Sequence, residues 1–395
     1  MRYIGNKTRL LPFLMRSVRR LGVAPGAAHD AFAGTAAVGR ALKGEGWRVV
    51  SSDLMMYSYV LQRAYVVAHR MPSFRALCAD DPELARALRS PALRRRVTER
   101  NGQTSSSRAG PAVGTNGAHR TATAVAPSAV RRLAAIGEYL GGWLEPEPGF
   151  ITTHFSPAGE RMYFTMANAG RIDAARCVVH EWRVRGLIEE DAYFILLAAI
   201  IEAADRVANT AGVYAAYIKS WQSNARRPLV IAPERPLRGR GSSAHLADAS
   251  DVARDAGPLD LLYVDPPYNA RQYAGYYHVP ELLARGWFDG TPRLRGKTGL
   301  LEGVPLSAWC SPRRVAGALR GLLAATAARH VLVSYNSEGL LPDEELRVLL
   351  REAAADGRVR RFAHHYRRYR SDSDRDGRRY KGDHVRELLY HARLR

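Results

Sequence analysis

The sequence predicts an α/β fold: an open, mostly parallel sheet with helices on both faces, interrupted by a mainly helical insertion. Three stretches predict it. Ala27 to Phe32 reads as a short strand feeding a glycine turn, Ala33-Gly34-Thr35-Ala36, and then an Ala-rich helix. Strand, glycine turn and helix in that order form the crossover with which open α/β sheets hold nucleotides. Trp47 to Ser52 reads as a second strand that ends in an acid, Asp53. Leu261 to Val264 reads as a buried strand that runs straight into Asp265-Pro266-Pro267-Tyr268. Proline has no amide hydrogen for the ladder, so the strand must stop there. The four residues after it fall at a carboxyl end, where such sheets keep their ligands.

The 395 residues suffice for a full core, as one large domain with an insertion or as two domains. The 59 Lys+Arg against 38 Asp+Glu leave a net charge of +21, which favours a polyanionic partner. Only Lys7, Lys43, Lys219, Lys297 and Lys381 are lysines. The Arg and Ala richness of a GC-rich genome therefore contributes to that charge, which supports nucleic acid but does not carry the claim. Cys78, Cys177 and Cys310 lie far apart with no CxxC, so neither a disulfide framework nor a zinc site is indicated. Met1 leads into Arg2-Tyr3-Ile4-Gly5-Asn6-Lys7 with no signal peptide. The most apolar run, Ala192 to Ala204, is too short to span a bilayer and contains Glu202. The expectation is a soluble, cytoplasmic protein without membrane segments.

Residues 1–21 read as a glycine turn followed by a helix with Leu10, Leu11, Phe13, Leu14 and Val18 on one face. After the crossover, Met55 to His69 reads as helix. Asp53 is open to two readings. An acid about twenty residues past the glycine turn is placed to hold both hydroxyls of a ribose, and the same carboxylate would cap the following helix. Residues 71–98 read as helical and basic. From 99 to 127 the composition turns to Ser, Thr, Gly, Ala and Asn without periodicity, the pattern of a flexible surface loop. Ile172 to Gly186 and Ala192 to Val207 read as helices. From Asn209 to Arg227, aromatics alternate with small residues beside Lys219, Arg226 and Arg227. That pattern fits contact with bases and phosphates, or a helix-to-loop segment with core tyrosines. Pro228 to Gly241 reads as a linker.

Past the Asp-Pro-Pro-Tyr turn, Asn269 to His278 is a tyrosine-rich loop containing Tyr273, suited to folding over a bound ring. Residues 290–312 are loop-like and carry Arg293, Arg295 and Lys297. Arg313 to Ala328 reads as helix, His330 to Asn336 as strand, and a further helix starts near Pro342. Val359 to Tyr369 and His384 to His391 read as an antiparallel pair around a charged loop, Ser371 to Gly382. From Arg358 onward there are 13 Lys+Arg against 5 Asp+Glu, which suits a solvated sheet edge or a phosphate-facing surface equally.

The Asp-Pro-Pro-Tyr stretch makes an ordinary strand-ending turn on its own. It also holds an acceptor and an aromatic ring in fixed relation, because the two prolines freeze the backbone. That suits a flat ring with an exocyclic amine: Asp265 accepts one amine hydrogen, a proline-flanked carbonyl the other, and Tyr268 stacks on the ring.

Taken in order, Tyr3-x-Gly5-x-Lys7, Phe32-x-Gly34, Asp53, Asp248 and Asp265-Pro266-Pro267-Tyr268 resemble the DNA adenine-N6 methyltransferases of the Dam type, in the motif order called alpha. The likeness covers about residues 1–70 and 245–395. Val331 to Asn336 is similar to the family's next core strand, and the tail from Arg360 through Leu389 to its closing hairpin. The resemblance implies a class I (Rossmann-like) methyltransferase sheet with an antiparallel C-terminal hairpin. It implies a discontinuous cofactor-binding and catalytic domain, 1–70 and 245–395, and an inserted target-recognition region, 71–244. S-adenosylmethionine is the implied cofactor. Tyr3 and Lys7 would contact its end of the site, Phe32 and Gly34 would wall the methionine part, Asp53 would hold the ribose, and Asp248 would lie near the cofactor adenine. Asp265 would border both cofactor and substrate. The implied partner is duplex DNA, touched by Tyr273, Lys219, Arg226 and Arg227, with the target adenine flipped out and gripped by Asp265 to Tyr268. One departure stands out: the family's usual second glycine is Ala36 here, whose methyl group would either be tolerated or crowd the cofactor. No metal is implied. A monomer or weak dimer is expected, at the nucleoid of a bacterium, working with a restriction or phage-defence component or alone.

Adenine's amine is a poor nucleophile because its lone pair is delocalised into the ring. Hydrogen bonds to Asp265 and to the Pro266 carbonyl would aim that lone pair at the methyl group for direct in-line displacement. The base must leave the duplex to reach such a pocket. Three other readings stay beside this one. The same residues would serve a methyltransferase acting on RNA or another exocyclic amine. Ala36 would suit a DNA-binding module with a degenerate cofactor site. A nicotinamide dehydrogenase would share the crossover but leave Asp265 to Tyr268 unexplained.

Overall fold

The structure is a computed structural model that describes residues 2, 5–90, 92, 93, 95, 97, 127–367 and 384–394. Tyr3 and the loop Ser371 to Gly382 lie outside the described residues, as does 99–126 of the expected loop 99–127. The chain forms two compact units. One comprises Met1–His69, Thr210–Ile218 and Leu237–Arg395, the other Arg70–Asn209 and Lys219–Pro236.

The first unit is built on β1 (Ala27–Asp30), β2 (Arg48–Asp53), β3 (Ser243–Leu246), β4 (Pro258–Val264), β5 (Leu294–Arg295), β6 (Leu300–Leu301), β7 (Ala327–Asn336), β8 (Arg360–Arg367) and β9 (His384–Arg393). Seven of these form one sheet in the order β3-β2-β1-β4-β7-β9-β8, while β5 and β6 pair as a small separate hairpin. The first five strands of that order run parallel; β9 is antiparallel to both β7 and β8. Leu259, Leu261, Leu262, Tyr263 and Val264 of β4 are all buried, as a parallel strand covered on both faces requires.

The helices of this unit are α1 (Leu11–Arg20), α2 (Ala37–Gly44), α3 (Met56–Gln62), α4 (Ala249–Asp255), α5 (Tyr273–Tyr276), α6 (His278–Arg285), α7 (Val315–Ala325) and α8 (Asp343–Ala353). Val252, Leu319, Leu322, Leu346 and Leu350 from α4, α7 and α8 pack with Leu262, Val331 and Val333 in one core layer. Each fully buried leucine there contributes about 1.5–3 kcal/mol. The helices α2 and α3 pack against β2, and α3 against α6. This is the expected α/β architecture with its antiparallel hairpin. The sequence order reverses on either side of β1 and β4, so the carboxyl ends of those two strands flank the crevice where such sheets bind ligands.

The second unit contains helices Arg75–Asp80, Pro82–Arg89, Pro127–Glu138, Phe150–Phe155, Met166–Val184 and Glu190–Val207. The last is buried on nearly every side, from Ala192 through Ile201 and on to Val207, which makes it the central helix of its unit. Asp173 is buried and its carboxylate accepts from Gly149 N (3.0 Å), Ile151 N (2.8 Å), Thr152 N (2.8 Å) and Thr152 Oγ1 (2.7 Å). It thereby satisfies the open amides at the start of Phe150–Phe155.

Several boundaries differ from expectation for local reasons. The helical stretch expected over 71–98 breaks at Asp81, whose backbone is extended and whose side chain accepts from Leu84 N at 2.9 Å. The cause is Pro82, which disfavours a helical residue before it and starts the next helix instead. The helix expected from Ile172 begins at Met166, capped by Thr165. The helix expected to reach His69 ends at Gln62 and continues as a wider turn, Arg63–Val67. The strand expected from His330 starts at Ala327, directly after α7. Residues 208–242 form neither helix nor strand, and Tyr214 is a core tyrosine at 1 % exposure.

Candidate active site

The glycine turn after β1 sets the upper wall of the site. Gly34 has a φ of 51°, in the left-handed region that favours glycine. Its amide donates to Asp53 Oδ2 at 2.9 Å, and Met55 N donates to Asp53 Oδ1 at 3.0 Å. Asp53 thus ties the end of β2 to the turn. The Ser58 hydroxyl and Leu54 N also bond this carboxylate; burial raises its pKa, and together these bonds oppose the rise.

Ala36 also adopts the left-handed region, with φ 58° and ψ 18°, and its amide donates to Ala33 O at 2.7 Å. This explains why glycine suits the position: an L-residue there carries roughly 1–2 kcal/mol of backbone strain. Ala36 is fully buried, and its neighbours Thr35 and Ala37 line the cleft while it does not.

The cleft encloses about 990 Å³, its open mouth included. Lys7, Phe32, Gly34, Asp53, Asp248 and the whole turn Asp265, Pro266, Pro267 and Tyr268 line it, as does Tyr273. Lys219, Arg226 and Arg227 belong to the other unit and are exposed there. Asp248 caps α4, accepting from Ser250 N at 2.8 Å. Phe32 is backed edge-on by the buried Trp309, their centroids 4.8 Å apart. Tyr273 leans on Tyr277 with centroids 5.9 Å apart.

At the floor, three elements bring charge together. Lys7, buried in the turn Lys7–Arg9, stands 2.5 Å from Glu387 Oε1 and 3.1 Å from Asp265 Oδ1, and it also donates to the Tyr268 hydroxyl. An ammonium has three hydrogens, and these three acceptors engage all of them. The hydroxyl of Tyr268 lies 2.5 Å from Asp265 Oδ1 and 2.9 Å from Glu387 Oε1. No described residue donates to Asp265 Oδ2. Burial pushes the Asp265 carboxyl up to about 6, Lys7 opposing and Glu387 reinforcing the rise. Burial, then the two carboxylates, hold the Tyr268 phenol well above its ordinary range, so it remains a hydroxyl. For Lys7, burial favours the neutral amine, but Asp265 and Glu387 outweigh it and keep the ammonium.

Asp30, at the carboxyl end of β1, was not singled out by the sequence reading. It is 1 % exposed, its Oδ2 accepts from Gly39 N at 2.9 Å, and its Oδ1 is buried with no hydrogen-bond partner among the described residues. A Cβ on Gly39 would stand 3.1 Å from Asp30 Oδ2, so glycine is what lets α2 come this close. Burial pushes Asp30 up to about 7; the Gly39 amide opposes this, while Asp265 and Asp53 add to it. The signal was present as an acid two residues before Phe32. Glu387 and Trp309 were also missed. Glu387 heads the apolar run Leu388-Leu389-Tyr390 and reads from sequence as part of a charged edge.

Among the described residues, no helix is long and apolar enough to cross a membrane. The chain matches the family model of the D12 class N6 adenine-specific DNA methyltransferases over residues 3–86 and 138–300. It is 30% identical over 396 residues to the type II methyltransferase M.NlaIII of Neisseria lactamica, covering 99% of this chain and 98% of that one. It is 30% identical over 384 residues to the type II methyltransferase M.FokI of Planomicrobium okeanokoites, of which it spans only 50%. Against the type II methyltransferase M.CviAII of Paramecium bursaria Chlorella virus 1 it is 38% identical over 207 residues, 51% of this chain and 60% of the relative. The family match holds both the glycine turn and the Asp-Pro-Pro-Tyr turn that meet in one cleft, and the chain belongs to the D12 class of N6 adenine-specific DNA methyltransferases.

Proposed function

We propose that the cleft holds S-adenosylmethionine and that Asp265, the Pro266 carbonyl and Tyr268 grip an adenine flipped out of duplex DNA. The observation that carries this reading is the state of Asp265: Lys7 and Tyr268 engage its Oδ1, while its Oδ2 is left as an acceptor in the cleft. The cofactor fits the residues present. The buried, unpartnered Oδ1 of Asp30 suits an ammonium group. Asp53, lining the cleft at the end of β2, suits paired hydroxyls, Phe32 and Gly34 suit the methionine chain, and Asp248 suits the neighbourhood of the cofactor adenine. When bound, the cofactor supplies a methyl group on a sulfonium.

In this reading Asp265 Oδ2 and the Pro266 carbonyl accept the two amine hydrogens. That favours a tetrahedral nitrogen whose lone pair is aimed along the line of displacement. The barrier falls through orientation and fixed dipoles. Pro267 keeps the turn rigid, and Tyr268, anchored through its hydroxyl, offers its ring to the base. The methylated amine is acidic enough to lose its proton without a strong base. Lys7, expected at the cofactor, is better assigned to holding the Asp265 turn, because its three hydrogens are engaged by Asp265, Tyr268 and Glu387.

The second unit serves as the target-recognition region, with Lys219, Arg226 and Arg227 toward phosphates; Tyr273 contacts the substrate from the catalytic unit. In this reading the enzyme is cytoplasmic and nucleoid-bound, a monomer or weak dimer, working beside a restriction or phage-defence component; relatives named type II methyltransferases and modification methylases support the restriction partner. The test is sequencing of methylated adenines in DNA from cells expressing the protein beside an Asp265→Ala control, together with transfer of labelled methyl to duplex DNA and to ribosomal RNA. Adenine methylation at one recurrent sequence, absent from the control, is expected. Label entering RNA but not DNA would refute the reading.

A further inference from the structure

We infer that Glu387 is a positioning residue of the transfer centre: from the closing hairpin it takes up the charge of Lys7 and anchors the Tyr268 hydroxyl, so that the ionised Asp265 is less neutralised and meets the amine as a stronger, more basic acceptor. The inference rests on reading Asp265 as the amine acceptor.

The cluster holds one cation and two anions. Lys7 Nζ lies 2.5 Å from Glu387 Oε1 but 3.1 Å from Asp265 Oδ1, so Glu387 is its closer counter-ion. Ser334 Oγ, from β7, donates to the same Glu387 oxygen at 2.5 Å, and the Tyr268 hydroxyl is 2.9 Å from it. Groups from three other elements therefore converge on one carboxylate oxygen. The other, Oε2, is buried with no hydrogen-bond partner among the described residues. A fully buried carboxylate is costly even when paired. Nothing in the sheet requires it: β9 lies between β7 and β8, and Glu387 stands in register with Asn336 and His364, where an apolar residue would serve the ladder.

Its consequence lies at Asp265. Without Glu387, Lys7 would pair with Asp265 alone, the pair would be neutral, and the amine would meet a weaker acceptor. With Glu387 in place, Lys7 and Tyr268 fix Asp265 Oδ1 geometrically, yet the cluster as a whole stays anionic.

Removing each partner should move the acid limb of the pH–rate profile in opposite directions. The groups that face Asp265 are Lys7 from the N-terminal turn, Asp30 from β1, Tyr263 from β4, Tyr268 from its own turn, Tyr273 from α5 and Glu387 from β9. Among them, Glu387 raises the Asp265 carboxyl and Lys7 lowers it. Single-turnover methyl transfer would be measured with the full chain, labelled S-adenosylmethionine and unmethylated genomic DNA from a strain lacking the enzyme. Glu387→Gln keeps shape and removes charge. It should lower the limb by about one pH unit and slow transfer above the limb about tenfold or more. Lys7→Met should raise the limb by about one unit. Thermal unfolding and calorimetric cofactor binding report whether each variant is folded. If Glu387→Gln does not fold, the upward shift in Lys7→Met carries the test. Limbs that stay in place, or that move in the same direction, would overturn the inference. An Asp265→Ala variant run alongside separates the two levels. If it transfers methyl normally, the assignment of Asp265 fails. If it is inactive while both limbs stay put, only the role of Glu387 fails.

Discussion

Asp30 offers the sharpest test of the site's electrostatics. Its carboxyl is pushed from 3.8 up to about 7 in the folded protein, chiefly by burial, with one oxygen bonded to Gly39 N and the other unpartnered among the described residues. The folded state therefore holds this proton more tightly than the unfolded chain does. The stabilisation is present in full below pH 3.8 and is lost as pH rises through about 7. At about 1.36 kcal/mol per pH unit, the loss comes to about 4 kcal/mol. Asp30→Asn keeps an acceptor for Gly39 N and cannot titrate. Urea unfolding of both proteins without cofactor, from pH 4 to 8, isolates this one group, because Asp265 and the other carboxylates titrate in both. The wild type should lose about 4 kcal/mol relative to the variant across that window. If the two stability curves ran parallel, the burial reasoning for Asp30 would be refuted. A cofactor ammonium placed against Asp30 would restore the carboxylate. Binding near pH 6.5 should then release a proton in the wild type and none in Asp30→Asn, as read by calorimetry in buffers of different ionisation enthalpy.

Asp265→Ala should reduce methyl transfer by about a thousandfold or more while leaving cofactor binding intact, and transfer near the wild-type rate would sink the amine-grip assignment. Asp53→Ala should weaken cofactor binding about tenfold or more in calorimetry, since it removes the proposed ribose acceptors together with the partner of Gly34 N. For Ala36→Gly, strain relief of about 1–2 kcal/mol is offset by a looser unfolded chain and a lost buried methyl. Its stability should stay within about 1 kcal/mol of wild type and its cofactor affinity should not change; a tenfold tighter complex would mean that the methyl does crowd the cofactor. Asp173→Ala should destabilise the second unit by about 3 kcal/mol or more, read by thermal unfolding, because it orphans the amides of Gly149, Ile151 and Thr152.

Features governed by near neighbours in the chain were legible before the fold was known. The Ala27–Asp30 strand, its glycine turn and the strand ending at Pro266 follow from local rules: apolar runs, a position that needs left-handed backbone, and proline's missing donor. Asp53 shows where local reading divides. Its carboxylate bonds Gly34 N of the glycine turn, and it bonds Met55 N, the N-cap residue of α3, rather than capping that helix itself. Boundaries went astray where one residue outweighed periodicity, as Pro82 does over Asp81.

By itself the sequence determined that an acceptor, two prolines and a tyrosine stand at the end of a buried strand downstream of a nucleotide-type crossover. Each of those facts depends on residues a few positions apart. Only the tertiary structure decided that Asp30 stands in the same cleft with one oxygen bonded to Gly39 N and the other unpartnered among the described residues, and that Lys7 pairs with Glu387, 380 positions away. That pairing exists because β9 inserts antiparallel between β7 and β8 and carries Glu387 alongside Ser334 and Tyr268. Burial there raises the energy of a lone charge so far that the cluster must assemble as a unit. Desolvation and strand order are properties of the folded sheet, and no window of sequence contains them.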